Sequence, residues 1–97
     1  MAGFVQIIEF RTAKMAEMQQ LGDEWEAAAA ESSNARRRVL CQDRDQPGRF
    51  FNVVFFDSYD EAMENSNLPV TQEFSQKMMG LAEGPPSFYN LDVVEER

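Results

Sequence analysis

Two-residue alternation opens the chain and predicts a strand over 3–11. Phe4, Gln6, Ile8 and Phe10 fall on one face of an extended segment; Val5, Ile7 and Glu9 fall on the other. Thr12 is placed to cap a helix beginning at the next residue. Over 13–30 the period lengthens. Met15, Met18, Leu21, Trp25 and Ala28 or Ala29 recur at three- and four-residue spacing and make one helical stripe. Gly22 interrupts this helix at a cost of about 1 kcal/mol relative to Ala. Ser32-Ser33-Asn34 ends it. A second strand is predicted over 35–43, with Val39 and Cys41 on one face and Leu40 on the other. The turn after it carries Pro47-Gly48, so strands two and three form an antiparallel hairpin with a longer loop.

The third strand carries the most information. Phe51, Val53 and Phe55 face one way; Phe50, Val54 and Phe56 face the other, with Asn52 among them. A strand apolar on both faces must be covered on both faces. Ser58-Tyr59-Asp60-Glu61 then has the form of a capping box and predicts a short helix over 59–65. Pro69 fits a first helical turn and restarts the chain as a helix over 69–82, with Val70, Phe74, Met78 and Leu81 on one face. Gly84-Pro85-Pro86 stops it, and a last strand is predicted over 87–95, with Phe88, Tyr89, Leu91, Val93 and Val94.

The resulting order is β-α-β-β-α-β with the second helical unit broken in two. That is a ferredoxin-like α+β arrangement with a four-stranded antiparallel sheet, expected as a single domain over 1–97. Right-handed crossovers put both helical units on one sheet face. The other face stays bare, and a chain of 97 residues has no material left to cover it. The simplest cover is a second copy of the chain, so the expected assembly is a homodimeric α+β barrel.

Composition narrows the chemistry. The net charge of −8 argues against nucleic acid and anionic membranes as partners. The one basic run, Arg36-Arg37-Arg38, reads as solvated or paired with carboxylates. The chain has no His, which excludes a Cys–His pair and a Ser–His–Asp triad. Cys41 is the one cysteine; it cannot form an intramolecular disulfide and reads as a small buried hydrophobe within its strand. No metal site and no cofactor are expected. No stretch is long and apolar enough to span a membrane, and the N-terminus has no signal-peptide pattern, so the expected location is the cytoplasm.

The element order, the bare apolar face and the passage Phe50-Phe-Asn-Val-Val-Phe-Phe-Asp-Ser-Tyr-Asp-Glu-Ala62 resemble the dimeric α+β barrel superfamily, in its antibiotic-biosynthesis-monooxygenase-like branch. That superfamily includes cofactor-independent monooxygenases, haem-degrading enzymes, dehydratases and proteins of no known activity. In members acting on polycyclic phenols, an Asn on the third strand and a Trp four residues later face a pocket between sheet and helices. The matching residues are Asn52 and Phe56: the Asn is kept and the Trp is not. Haem-degrading members hold iron with a His, which this chain lacks.

The resemblance and the periodicity together place a substrate-binding pocket between helices and sheet. Gln6, Asn52 and Phe56 form its floor; Trp25, Phe74 and Met78 form its helix side. The indole N–H of Trp25 would be free for a ligand, and Tyr59 could orient a phenol. The same residues have a plainer reading: Asn52 and Gln6 as structural amides, Trp25 and the methionines Met15, Met18, Met78 and Met79 as core. Glu9, a lone carboxylate within a strand, is expected to meet Arg38 or Arg11. Three functions stay open on these residues. One is a cofactor-independent monooxygenase-like enzyme acting on a small apolar or aromatic molecule that supplies the electrons itself. The others are a binding module without turnover and an assembly domain with no ligand.

Overall fold

The computed structural model describes residues 3–97; the first two residues of the expected domain lie outside the described residues. The elements are β1 (Phe4–Arg11), α1 (Met15–Ala29), β2 (Arg37–Gln42), β3 (Arg49–Phe56), α2 (Tyr59–Asn67), α3 (Pro69–Met79) and β4 (Ser87–Asp92). The order is the one the periodicities predict. Most boundaries draw in by one to three residues, and α2 runs two residues further than expected.

The four strands form one sheet in the order β2-β3-β1-β4, and every pairing is antiparallel. Phe4 faces Phe56 and Arg11 faces Arg49 across the central β1–β3 pair. Residues opposite one another share a face, so this register joins Phe4, Gln6, Ile8 and Phe10 to Phe56, Val54, Asn52 and Phe50. The helices cover that face. Phe4, Val54 and Phe56 form the core with Ala62 of α2, and Phe56 is 1% exposed. Each of these phenylalanines contributes roughly 1.5–3 kcal/mol by leaving water. The opposite face carries Val5, Ile7, Val39, Phe51, Val53, Phe55 and Leu91, and no helix or strand among the described residues lies over it. Its Phe51, Val53 and Phe55 are only half-buried.

Local chemistry closes each element. The Ala29 carbonyl accepts the amides of Ser32 and Ser33 at 3.0 and 2.8 Å and ends α1. The Ser58 hydroxyl accepts the Glu61 amide at 3.2 Å, an N-cap that stabilises α2 by about 1 kcal/mol. The return bond of the capping box is absent, and Glu61 Oε2 is buried without a partner. Thr12 does not cap α1, whose N-cap is Lys14. Its buried hydroxyl instead donates to the Leu81 carbonyl at 2.7 Å and accepts the Lys14 amide at 3.0 Å. That ties the end of β1 to the turn after α3. Gly48 closes the β2–β3 loop at φ 92°, a conformation that side chains disfavour.

The bare face has a charged corner. Arg49 Nε donates to Glu9 Oε2 at 2.7 Å, and Arg49 Nη1 donates to Asp43 Oδ2 at 2.8 Å. Tyr89 Oη donates to Glu9 Oε1 at 3.0 Å, and the Arg49 guanidinium lies 4.7 Å from the centre of the Phe51 ring. Glu9 therefore meets Arg49, not Arg38 or Arg11. Arg38 is opposite Val54 and so points to the helix side, and Arg11 donates to Gln46. Cys41, expected to be buried, is exposed on the bare face of edge strand β2.

The Arg49 hydrogen bond, with help from Tyr89, holds the Glu9 carboxyl below the ordinary carboxylate range. An amide hydrogen bond from Asp45, then one from the Arg49 guanidinium, does the same for Asp43. A carboxyl held low in the folded state contributes stability that is complete above the ordinary range and is lost as pH falls through its own folded value. Stability should therefore decline on acidification. Glu9→Gln should lower the urea midpoint at neutral pH and leave a shallower acid decline. An unchanged midpoint-against-pH curve in that variant would show that the network contributes nothing.

Candidate functional site between the sheet and the helices

The helix layer does not press evenly on the sheet. α1 packs chiefly on α3, while α2 is the helix in closest contact with β1 and β3. A hollow of about 240 Å³ is left beneath α1 and α3. Its floor is Gln6, Ile8, Asn52, Val54 and Phe56, with Arg38 from β2 and Phe88 from β4. Its helix side includes Gly22 and Trp25 of α1 and Thr71, Ser75 and Met78 of α3.

Two further hollows share walls with it. One, of about 370 Å³, is apolar and lies towards β4, among Phe10, Met18, Met78, Met79, Pro86 and Phe88. The other, of about 360 Å³, opens between α1 and β2 and is lined by Gln19, Asp23, Arg38, Leu40 and Asn52. The composite space is apolar at one end and polar at the other.

Period-two alternation placed Asn52 with Phe56 and Gln6 with Ile8, the β1–β3 register joins the two sets, and all three residues reach the hollow. Trp25 and Met78 also line it. Phe74 does not: it is 8% exposed, with Lys77 Nζ 4.8 Å from its ring centre, and it belongs to the core of α3. Both residues lie on the same helix as Thr71 and Ser75, and the wall follows those polar positions rather than Phe74. The Trp25 indole N–H is not free. It donates to Thr71 Oγ1 at 3.1 Å and so fixes α1 to α3 across the roof. Gln6 donates from Nε2 to Asn90 Oδ1 at 3.3 Å across the β1–β4 pair. Tyr59 lines none of the three hollows; it is 51% exposed and meets Phe4 edge-on at 5.4 Å.

Asn52 Oδ1 is fully buried and has no hydrogen-bond partner among the described residues. Leaving such an acceptor unpaired costs roughly 1–3 kcal/mol. A ligand hydroxyl or amine that met this oxygen, once the side chain turned towards the hollow, would remove that cost. Sequence reasoning overlooked Arg38 and Gly22. Arg38 Nη2 lies 3.1 Å from Glu26 Oε1, and a Cβ on Gly22 would stand 3.3 Å from Arg38 Nη1. The signal was the even offset between Arg38 and Leu40, which puts both on the same face once strand pairing is known. The hollow at Asn52 is lined by no carboxylate; Asp23 stands in the adjoining one. Such an arrangement can exclude water, orient a flat molecule and bond its oxygens. No helix among the described residues is long and apolar enough to cross a membrane.

No protein-family model matches the chain, and no curated protein matches it in sequence. Solved structures do resemble it. A protein from Caulobacter crescentus CB15, provisionally named an antibiotic biosynthesis monooxygenase, aligns with TM-score 0.81 at 18% identity, over 97% of this chain and 92% of that one. SnoaB, a cofactor-independent oxygenase from Streptomyces nogalater, aligns with TM-score 0.82 at 13% identity, over 99% and 97% of the two chains. A conserved protein from Methanosarcina mazei Go1 aligns with TM-score 0.82 at 7% identity, over 95% and 93%. At such identities the likeness shows the fold alone. That fold is the ferredoxin-like α+β fold of antibiotic-biosynthesis-monooxygenase-like proteins.

The Trp25–Thr71 bond joins two helices that roof the hollow. Thr71→Ala should lower stability by about 0.5–1.5 kcal/mol in denaturant titration, the ordinary worth of one such bond. A loss within measurement error would mean that solvent replaces the bond at no cost.

Proposed function

We propose that this chain is a cofactor-independent monooxygenase-like protein that takes a small, flat aromatic molecule into the helix–sheet hollow, and that it works as a homodimer. The observation that carries the reading is Asn52 Oδ1, buried and unpartnered in an otherwise largely apolar space. Support also comes from the fold shared with SnoaB, a cofactor-independent oxygenase.

The site's chemistry suits a substrate that is its own reductant. An electron-rich phenol reacting with dioxygen can gain a second ring oxygen and leave as a quinone. One oxygen atom enters the new carbonyl; the other leaves as water, with the displaced ring hydrogen and the phenolic hydrogen. The protein would contribute desolvation and orientation, with Asn52 accepting from the phenol and Phe56 and Met78 packing on the ring. Binding without turnover is the second reading, favoured by the hollow beneath α1 and α3, whose described lining holds no carboxylate; Asp23 shares only the adjoining hollow with Asn52.

The dimer reading rests on the uncovered face. Val5, Ile7, Phe51, Val53 and Phe55 lie together there, more apolar surface than a lone sheet face carries comfortably in water.

Three measurements test these readings. Oxygen uptake with a polycyclic phenol separates turnover from binding, and its absence alongside binding favours the second reading. Asn52→Ala should weaken binding of that phenol by about 1–3 kcal/mol while the fold survives; unchanged affinity would remove Asn52 from the site. For the dimer, Val53→Asp should convert the species seen by sedimentation to monomer or unfold it. A wild-type chain that sediments as a monomer at micromolar concentration would overturn the assembly.

A further inference from the structure

The hollow has a second polar feature besides Asn52. Among the described residues that line the three adjoining hollows, Arg38 is the only cation. It lines both the hollow at Asn52 and the one between α1 and β2. It points there because its partner across the β2–β3 pair is Val54, a residue of the covered face. Asn52 is opposite Leu40, so Arg38 and Asn52 are diagonal neighbours on adjacent strands, roughly 7–8 Å apart at the backbone.

Gly22 leaves room for the guanidinium on α1: a Cβ there would stand 3.3 Å from Nη1. Glu26 contacts Nη2 at 3.1 Å, but Glu26 is 53% exposed and Arg38 is 27% exposed. Such a pair at a rim contributes little and yields readily to a better partner. A guanidinium carries five N–H donors in a planar fork, so most of them are not used by Glu26. Asp23 lines the same mouth as Arg38 and is the other charge facing it. The chain as a whole carries −8, so an anion meets no general attraction here and would be selected only by Arg38 itself.

We infer that Arg38 is a specificity-determining residue that selects flat aromatic ligands bearing an oxyanion. The oxyanion, a carboxylate or an ionised phenol, sits on the Arg38 fork. A neighbouring hydroxyl donates to Asn52 Oδ1. The aromatic body extends towards Met18, Met78 and Phe88, where the space is apolar. The inference rests on the helix–sheet hollow being a ligand site and adds the charge and orientation of what it takes.

The test compares 2-naphthoate, ionised at neutral pH, with naphthalene-2-carboxamide, which has nearly the same shape and no charge. Calorimetry measures affinity, and the shift of the Trp25 indole resonance locates binding, since Trp25 is the one tryptophan. Wild-type protein should bind the naphthoate about tenfold more tightly than the amide, the usual worth of a charge-assisted hydrogen bond. Rising salt should narrow that ratio. Arg38→Gln should abolish the preference by weakening the naphthoate far more than the amide, and Arg38→Lys should restore part of it. Equal wild-type affinities for the two probes would overturn the inference while leaving the ligand site standing. So would an Arg38→Gln variant that loses both probes alike. If neither probe binds or moves the Trp25 resonance, the inference and the site reading fall together.

Discussion

Everything in this molecule depends on β3 being central and apolar on both faces. It pairs with β1 on one side and β2 on the other, so neither of its faces can turn to solvent at a sheet edge. Phe50, Val54 and Phe56 demand a helix layer, and α2 meets the demand most directly through Ala62 against Phe4 and Phe56. Phe51, Val53 and Phe55 make the same demand on the other face, which no element among the described residues meets. The ferredoxin-like order allows only one helix layer, because both crossovers turn the same way.

The hollow is a by-product of how that single layer is seated. α2 is short, capped by Ser58, and lies close to the sheet at Phe4 and Phe56. α1 and α3 lean on one another instead, through Trp25 and Thr71, and stand off the sheet at Ile8, Phe10 and Asn52. Close packing normally removes such space, and interior voids are costly when their walls lose contacts. Here the walls are methionines, a glycine and an unpaired amide. Met is the side chain best able to adjust around a guest, and Gly22 leaves a gap that any other residue would narrow. A packed core would favour other choices at these positions.

Charge is sorted by face. On the covered face Arg38 is the cation at the hollow, with Glu26 and Asp23 at its mouth. On the bare face Arg49 gathers Glu9, Asp43 and Tyr89 into one corner and lies over Phe51. Arg37 stands on the same bare face, 5.6 Å from the centre of the Phe55 ring, and Arg36 meets Asp57, so the basic run of three is spent on three separate jobs.

The chain's periodicities determined the elements, their order, the doubly apolar third strand and the shared face of Asn52 and Phe56. Each depends only on the backbone repeat within an element, which sends side chains to fixed faces regardless of what packs above. The β1–β3 register then brought Gln6 to that face. Partner choice was decided elsewhere. Glu9 meets Arg49 because the β1–β3 register sets Arg49 one diagonal step from Glu9, a distance of forty residues in the chain that no local pattern encodes. The Trp25 N–H is spent on Thr71 because α1 and α3 cross there, and Phe74 turns into the core because the helix stripe is wider than the hollow it roofs. Arg38 joined the site for the same reason: three arginines in a row look alike until strand pairing assigns each one a face. Alternation within an element is a property of the backbone, whereas distance between elements is a property of packing, and only the tertiary structure contains it.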